Sequence, residues 1–513
     1  MSKKIIFIAF VVSLGGFLFG FDAGIISGVM SYASPEFNLS ELQAGWVVSS
    51  PTFSAMIAML VAGKLSDILG RKKILIVVAF LYAISALLSA YASSYEMLYI
   101  ARMIGGLAFG AALVLAPAYI AEISSAKDRG KLVSLQQLNI VFGFFAAFLS
   151  NYYFNSINNP NNEMINDANV WRWMLGVELI PAVLYFIFLF FIPKSPRWLY
   201  NKNLTDEAKK VLLEIYGQDI AHKEIEAMKK MSESVKQTAS SIKVLFSRNL
   251  RYILLIGLAI GILQQITGIN AVYFYATSIF EQTGIGTDAA FSSGVLLSFT
   301  TVIFTFVAIF LIDRMGRRPL LIIGIGGVAV SLLICAYGFY QAKYELTPEK
   351  VAQVELKEME ASDLAFAYGM EFKDDLAFKN AMKEGLGYQL YLRNKGAILE
   401  AGTTINATLV LVGILGFIAC FAFSLGPVMW VLLSELFPVQ IRGLAIGTIG
   451  FVNSFSSWLI QQIFPWELST FGNATTFLIF GLIASAGFFL FIKILPETKG
   501  RSLEELEAEL VKS

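Results

Sequence analysis

The sequence has little charge, one histidine and two cysteines. Only 15% of its 513 residues are charged, and the net charge is +1, so nothing indicates a nucleic-acid-binding surface. Cys335 and Cys420 are too far apart to suggest a metal site or a disulfide framework. His222 lies in a charged stretch typical of solvated surface. No nucleophile with a neighbouring base, metal cluster or phosphate loop is found, so we expect no enzyme activity, cofactor or metal.

Long hydrophobic runs dominate instead, since 56% of the residues are hydrophobic. A helix needs roughly 20 apolar residues to cross a bilayer. Twelve runs of about that length or longer lie near residues 5–31, 41–63, 74–93, 97–123, 131–154, 171–193, 252–280, 289–312, 319–341, 405–434, 441–464 and 473–495. We therefore predict an all-α, multi-pass membrane protein with twelve transmembrane helices in contact with the lipid bilayer.

Basic residues in the short loops predict the orientation, because Lys and Arg stay on the cytoplasmic side. The loops near 32–40, 94–96, 155–170, 281–288 and 465–472 contain none of the 39 Lys and Arg residues. Both termini are accordingly expected in the cytoplasm, in the inner membrane if the source is a bacterium. The segment 342–403 carries both signs of charge, but long loops translocate largely regardless of charge, so we expect it outside as a small helical insert.

Charged motifs recur in the same order after corresponding helices of two halves. They comprise Asp67, Arg71, Glu122 and Arg129 in the first half and Asp313, Arg317, Glu435 and Arg442 in the second. Basic residues at these sites anchor topology, and matched recurrence favours a second role. We expect charge pairs, Asp67 with Arg71 and Glu122 with Arg129 and likewise in the second half, that hold an inward gate shut in one state.

The repeats predict four segments of the chain. These are an N-terminal six-helix half (1–193), a cytoplasmic helical linker (194–251), a C-terminal six-helix half (252–495) that contains the insert, and a cytoplasmic tail (496–513). Two pseudo-symmetric halves joined by a linker are typical of transporters in which one half rocks against the other around a midplane site.

The motifs resemble the sugar porter family of the major facilitator superfamily, which includes bacterial xylose/proton symporters and animal glucose facilitators. The resemblance rests on Gly63-Lys64-Leu65-Ser66-Asp67-Ile68-Leu69-Gly70-Arg71-Lys72-Lys73, Pro196-Arg197-Trp198-Leu199, Gln264-Gln265-Ile266-Thr267-Gly268-Ile269-Asn270 and Pro496-Glu497-Thr498-Lys499-Gly500. It covers the chain except 342–403 and implies the major facilitator fold and a monosaccharide substrate. We also expect the chain to function as a monomer.

Two charged residues lie well inside the predicted helices. Asp22 in helix one and Arg102 in helix four are placed at similar depths. A charge there costs at least about 2.5 to 3.5 kcal/mol, so it tends to have a purpose. The pair is either a static ion pair or a proton switch with Asp22 as carrier and Arg102, which cannot deprotonate, as its regulator. The resemblance favours the switch, because proton-coupled members have Asp here. Glu178 in helix six is a further candidate.

Amides in helix seven predict a sugar site. Gln264, Gln265 and Asn270 lie in an apolar run, where unbonded amides are costly, and Gly268 permits a local break. Either the amides bind sugar hydroxyls or they join helices to one another. The resemblance adds further sugar-site positions at Gln137, Asn453 and Trp430, with Gly426 and its proline forming a kink, and at Phe274 and Thr301. Phe144, Phe274, Thr301 and Ser454 depart from the xylose-symporter pattern, so pentose, hexose and inositol stay open.

The leading prediction is a monosaccharide/proton symporter working by alternating access. A sugar uniporter and a polyol or inositol symporter are the alternatives. A transporter-like sugar sensor is less favoured, because it would be expected to have a long signalling tail, whereas this chain ends soon after its last helix.

Overall fold

A computed structural model describes the protein at residues 3–125, 128–159, 163–218, 221, 224–226, 228–229, 245–247, 250–438 and 441–499, apart from the side chains of Arg129 and Asp313. His222 and residues 500–513 of the predicted tail lie outside these residues.

Helices of the predicted N-terminal half and linker begin and end close to the hydrophobic runs. They are α1 (Lys3–Glu36), α2 (Glu41–Leu69), α3 (Arg71–Ala90), α4 (Tyr95–Ile123), α5 (Arg129–Ser156), α6 (Val170–Gly176), α7 (Leu179–Phe190), α8 (Pro196–Asn201) and α9 (Thr205–Tyr216). The last two confirm helical structure in the part of the linker that the structure describes.

The second set follows the same pattern, with short elements in the insert. It comprises α10 (Arg251–Ile266), α11 (Ile269–Phe274), α12 (Ala276–Glu281), α13 (Thr287–Met315), α14 (Arg317–Tyr340), α15 (Pro348–Val351), α16 (Asp375–Leu386), α17 (Tyr388–Gly402), α18 (Ala407–Phe423), α19 (Leu425–Leu436) and α20 (Arg442–Ile494). Strands β1 (Lys343–Glu345), β2 (Glu371–Phe372) and β3 (Thr403–Thr404) lie in the insert.

Eleven helical stretches in the described part of the chain are long and apolar enough to cross a membrane. One of them, α20, has 53 residues and would extend about 80 Å if it were one helix, far more than a bilayer core of about 30 Å. Its backbone breaks at Gly472, where φ is 77° and ψ is 169°. The stretch therefore supplies two spans, and the total agrees with the predicted twelve.

Several spans are interrupted where the sequence suggested continuous runs. Predicted helix six is divided between α6 and α7, and Pro181 in the first turn of α7 lacks the N–H that a continuous helix would use. Predicted helix seven is divided into α10, α11 and α12, with Gly268 in the left-handed region at φ 87°. Ser424 separates α18 from α19, close to the kink expected at Gly426.

Glycines allow very close helix packing in the N-terminal part. A Cβ on Gly20 of α1 would lie 2.0 Å from the Ile140 carbonyl oxygen of α5, and one on Gly143 of α5 would lie 2.1 Å from that of Phe17. The backbones touch at these points, as is common where small residues line the interface between membrane helices. This packing sets the position of α1 and so of Asp22.

The chain forms two compact units. The first comprises Met1–Gly24, Ser50–Ala147 and Arg172–Ser240, and the second comprises Ile25–Ser49, Phe148–Trp171 and Ser241–Ser513. Segments 25–49 and 148–171, which belong to the predicted N-terminal half, thus pack in the second unit. These units do not coincide with the domain boundaries predicted from the repeated motifs, so those boundaries stay a prediction.

The insert 342–403 has its own core, and it is not purely helical as predicted. Its strands form an antiparallel sheet in the order β2-β1-β3, with Tyr344 opposite Phe372 and Thr403. Tyr344 also stacks on Phe378 of α16 at 5.7 Å between ring centroids. Three strands of two or three residues give no visible alternation in sequence, so the pattern could not reveal them.

Candidate functional site

Asp22 and Arg102 form a buried ion pair in the first unit, as predicted. Nη1 of Arg102 donates to Oδ1 of Asp22 at 3.0 Å, and Nη2 lies 3.5 Å from Oδ2. The residues are 4% and 2% exposed, respectively. Their positions on α1 and α4 make the pair a direct link between two spans, and the close packing around it excludes bulk water.

Glu178 is buried beside this pair at the break between α6 and α7. Its carboxyl group is within electrostatic range of both Asp22 and Arg102. Tyr82 is also buried within electrostatic range of Asp22 and Glu178, and its hydroxyl donates to the Gly15 carbonyl at 3.1 Å. Two carboxyl groups and one guanidinium therefore share this site. The carboxyl groups can gain or lose one proton between them, whereas Arg102 keeps its charge.

The predicted amides meet in the second unit. Nε2 of Gln265 donates to Oε1 of Gln264 at 3.2 Å and to Oδ1 of Asn453 at 3.3 Å. Nδ2 of Asn453 donates to Oε1 of Gln264 at 2.8 Å, and Nδ2 of Asn270 donates to Oε1 of Gln265 at 2.8 Å. Gln264, Gln265 and Asn453 are buried, whereas Asn270 is half-buried at the edge of the cluster. These four residues form the amide cluster.

Two polar residues that the sequence analysis missed extend the amide cluster along α20. Oγ of Ser457 accepts from Nδ2 of Asn270 at 2.6 Å and from Nε2 of Gln461 at 2.7 Å. Asn453, Ser457 and Gln461 follow one another at intervals of four and so share a helix face. That spacing was a signal that could have identified both residues.

The other predicted sugar positions of the second unit lie on neighbouring elements. Nε2 of Gln264 donates to the Leu425 carbonyl at 2.8 Å, directly before Gly426. Trp430 is 41% exposed. It lies close to Gly450, since a Cβ added to that glycine would be 3.6 Å from the Trp430 ring. Part of the Trp430 ring is therefore exposed beside Gly450, which lies about one helical turn before Asn453 on α20.

Phe274 and Thr301 are both buried in the second unit. The Thr301 hydroxyl is 2.6 Å from the hydroxyl of Tyr273, another residue that sequence reasoning missed. Gln137, by contrast, belongs to the first unit, where its side chain is exposed on α5. Its predicted contact with sugar stays a prediction.

The charged motif of the first unit centres on Arg71. Its Nη2 lies 2.6 Å from Oδ1 of Asp67, which confirms that pair, and 3.0 Å from Oε1 of Glu122. Glu122 also accepts from the Ser195 hydroxyl. Because the Arg129 side chain is outside the described part, the expected pair of Glu122 with Arg129 stays a prediction.

The second unit repeats this arrangement around Arg317. The Arg317 guanidinium donates to Glu435 from Nε at 3.0 Å and from Nη2 at 2.7 Å, and Glu435 also accepts from the Thr498 hydroxyl at 2.6 Å. In this structure Nε of Arg442 donates instead to the Phe437 carbonyl at 3.2 Å, so the expected pair of Glu435 with Arg442, called for in one state of the transporter, stays a prediction. A bidentate contact with Arg317 is the stronger way to satisfy the carboxylate.

Comparison with known proteins places this geometry in a family. A profile described as "Sugar (and other) transporter" matches residues 8–354 and 389–510. The arabinose-proton symporter of Bacillus subtilis (strain 168) is 32% identical over 509 residues, covering 99% of this chain and 95% of the relative. The glucose transporter of Staphylococcus epidermidis is 33% identical over 509 residues, covering 99% and 97%.

A solved structure shows the same fold. The inward-open xylose transporter of E. coli matches with a TM-score of 0.75 and 28% identity, covering 98% of this chain and 99% of that one. Proteins of this type belong to the major facilitator superfamily. The chain has the twelve-helix major facilitator fold and belongs to the sugar (and other) transporter family.

Proposed function

We propose that the chain takes up a monosaccharide together with a proton by alternating access, as a transporter and not an enzyme. The observation that carries the coupling is the buried pair of Asp22 and Arg102. Membership of the family supports the transport activity, and relatives named for arabinose-proton symport and for glucose and xylose transport support a pentose or hexose.

The amide cluster is suited to sugar hydroxyls. Each amide offers both donors and an acceptor, so Gln264, Gln265, Asn270 and Asn453 can exchange bonds with one another for bonds with a ligand. In the present arrangement the four amides bond to one another and to neighbouring groups such as the Leu425 carbonyl and the Ser457 hydroxyl, which pairs these polar groups when no sugar is bound. The exposed face of Trp430 can stack on the apolar face of a sugar ring.

The proton is carried by Asp22 in this proposal. A carboxylic acid in an apolar interior is more stable protonated, unless a cation is near it. Arg102 keeps its charge throughout, so any movement of α1 against α4 that separates the guanidinium from Asp22 favours uptake of a proton. In this proposal Glu178, which is within electrostatic range of Arg102, takes over the released guanidinium, because an unpaired buried charge would be costly.

The charged motifs control the cytoplasmic side in this proposal. Arg71 and Arg317 each join two helix ends of their own unit through a glutamate. With both termini in the cytoplasm, as the loop charges support, these sites lie at the inner surface of the cell membrane. We expect the chain to work as a monomer, because each site is built from one chain.

The test is uptake into reconstituted vesicles under an imposed proton gradient, with labelled arabinose, xylose, glucose and inositol. One charge moved down 100 mV supplies about 2.3 kcal/mol, enough for roughly fiftyfold accumulation. The Asp22→Asn variant should lose accumulation and retain equilibrative exchange, whereas Asp206→Asn, on the exposed face of α9, should accumulate normally.

Each alternative has its own outcome. If Asp22→Asn still concentrates sugar, the assignment of the proton carrier is wrong. Wild-type uptake that only equilibrates and leaves the external pH unchanged would identify a uniporter. Preference for inositol would identify a polyol symporter, an alternative that the departures at Phe144 and Phe274 leave open.

A further inference from the structure

The insert 342–403 is the part of the chain that sugar and proton transport leave unexplained. It has a hydrophobic core of its own, built around Phe378, Met382, Tyr391 and Ile398. The family profile leaves residues 355–388 unmatched, so membership of the family by itself assigns no role to this part of the insert. A folded element on the predicted outer side needs a role of its own.

The insert is firmly attached to the predicted C-terminal half. Asp375, the first residue of α16, is buried, and its Oδ2 accepts from Nζ of Lys379 at 2.7 Å and from the backbone N–H of Asn473 at 3.1 Å. The Asn473 N–H directly follows the break at Gly472, where a Cβ would lie 2.5 Å from Oδ1 of Asp375. A buried carboxylate that accepts two hydrogen bonds therefore fixes α16 to the start of the last span.

The insert also contacts the predicted N-terminal half through the loop between α1 and α2. Nζ of Lys383 lies 3.1 Å from Oε1 of Glu41, and the hydroxyl of Tyr388 donates to the Leu39 carbonyl at 2.9 Å. Lys383 lies 5.6 Å above the Tyr388 ring, so the two contacts support each other. These contacts join sequence segments that belong to different predicted halves.

A second contact of this kind lies between the insert and the loop before α6. Nζ of Lys357 is 2.7 Å from Oδ2 of Asp167, and Nδ2 of Asn158 donates to Oδ1 of the same carboxylate at 2.7 Å. Burial alone would raise the pKa of Asp167, but the hydrogen bonds from Lys357 and Asn158 and the charge of Lys357 together lower it, so the carboxylate is charged at neutral pH. Through these ion pairs the insert contacts both the start of α2 and the loop before α6.

Directly beneath these contacts, the outer ends of two spans meet. Oγ of Ser27 on α1 is 3.0 Å from Oγ1 of Thr277 on α12, and it accepts from the Thr277 N–H at 2.9 Å. One turn further along, the Ser31 hydroxyl donates to Oε1 of Glu281 at 3.1 Å. We call these three hydrogen bonds the outer gate. All three are formed in this structure, so the gate is closed, and both Ser27 and Thr277 are buried.

A cavity of about 1080 Å³ lies between the insert and the outer gate. Glu281 and Lys395 line it together with Lys383 and Lys357. Since the volume is far larger than one water molecule needs, the insert spans this space instead of filling it. In the described part of the chain, two ion pairs and one hydrogen bond join the insert to the N-terminal segments across this space, and interactions of this kind can break and re-form.

We propose that the insert is a latch that holds the outer gate closed. It stays with the C-terminal half through Asp375 and releases Glu41, Leu39 and Asp167 when the transporter opens outward. The latch rests on the alternating access proposed above. Both ion pairs are partly exposed, so each contributes about 1 kcal/mol at most, equivalent to roughly a fivefold change in the ratio of closed to open states.

The test is the accessibility of a cysteine at the outer gate. In a chain with Cys335→Ala and Cys420→Ala, Ser27→Cys is labelled by a membrane-impermeant maleimide applied from outside. Adding Lys383→Met should raise the labelling rate about two- to fivefold. The matched control is Lys373→Met, which removes an exposed lysine of the same insert and should leave the rate unchanged.

Charge exchange separates the latch from a general loosening of the fold. The double variant Glu41→Lys with Lys383→Glu should return the labelling rate towards that of the parent, whereas each single reversal should raise it. The same series with Thr277→Cys as the reporter covers the case in which Ser27→Cys does not fold. Equal rates for Lys383→Met and Lys373→Met, or no recovery in the exchanged pair, would overturn the latch.

These measurements use neither sugar nor a proton gradient. If the vesicle assay shows no coupled uptake but the labelling rates follow this pattern, the proposed function fails and the latch stands. If uptake is coupled as proposed and the rates do not respond, the latch fails by itself.

Discussion

Replacing Gly268 by alanine tests whether the break in predicted helix seven builds the amide cluster. The residue has φ of 87°, in the left-handed region, and stands between α10, which carries Gln264 and Gln265, and α11, which carries Asn270. The turn at this point lets Asn270 reach Gln265. A side chain at Gly268 has to distort the turn or move its neighbours.

The size of the effect has two parts. An alanine in the left-handed region costs roughly 1–2 kcal/mol. Its Cβ would also lie 2.7 Å from Cδ2 of Phe480, well inside the usual carbon contact distance of about 3.5 Å. Phe480 is buried and stacked on Phe464 at 6.2 Å, so it cannot swing away. Overpacking of this kind adds about 1–3 kcal/mol, which gives a total of about 2–5 kcal/mol.

Gly217 provides a matched control for the backbone part. Its φ is 77°, but a Cβ there would meet nothing within 4 Å, so Gly217→Ala has the strain without the collision. Thermal unfolding in detergent at one scan rate should rank Gly268→Ala clearly below Gly217→Ala, and sugar uptake should fall in the former alone. Equal melting midpoints with normal uptake by Gly268→Ala would refute the reasoning.

Two further predictions concern charges outside the apolar core. Burial lowers the pKa of Lys395 from 10.5 to about 8. Between these two pH values the unfolded chain binds a proton that the folded chain lacks, so the free energy of unfolding rises with pH over this range. Lys395→Met should therefore raise the melting midpoint at pH 7.5 and lose most of this advantage by pH 10; an advantage that is constant over this range would contradict the assignment. Arg317→Lys should reduce uptake and stability more than Arg318→Lys, because lysine cannot reproduce the bidentate contact with Glu435, and equal effects on both measurements would count against that contact.

Much of the fold was predictable, because a bilayer demands about 20 apolar residues per helix and the sequence displays that length directly. Asp22 and Arg102 could be paired because similar depth in a membrane is readable from helix position. The bidentate contact of Arg317 with Glu435 could not be predicted in this way. The four charged motifs permit several pairings, and the choice among them depends on helix packing. Spacing within one helix would have revealed Ser457 and Gln461.

The insert was the least predictable part. Its strands are too short to show an alternating pattern, and its core mixes residues that are distant in sequence. Likewise, the break before α7 depends on Pro181, which is tolerated in many membrane helices, so its presence alone did not predict the interruption.

The contact of Asp375 with the backbone at Asn473 has a consequence for protein engineering. An insertion that the family profile leaves unmatched at 355–388 looks like a cassette that could be cut out to give a smaller transporter. Removing it would take away both Asp375 and Lys379 and leave the buried N–H of Asn473 without its acceptor, at the point where the last span begins. A minimal version of the protein would therefore have to supply a new acceptor at the start of the last membrane span.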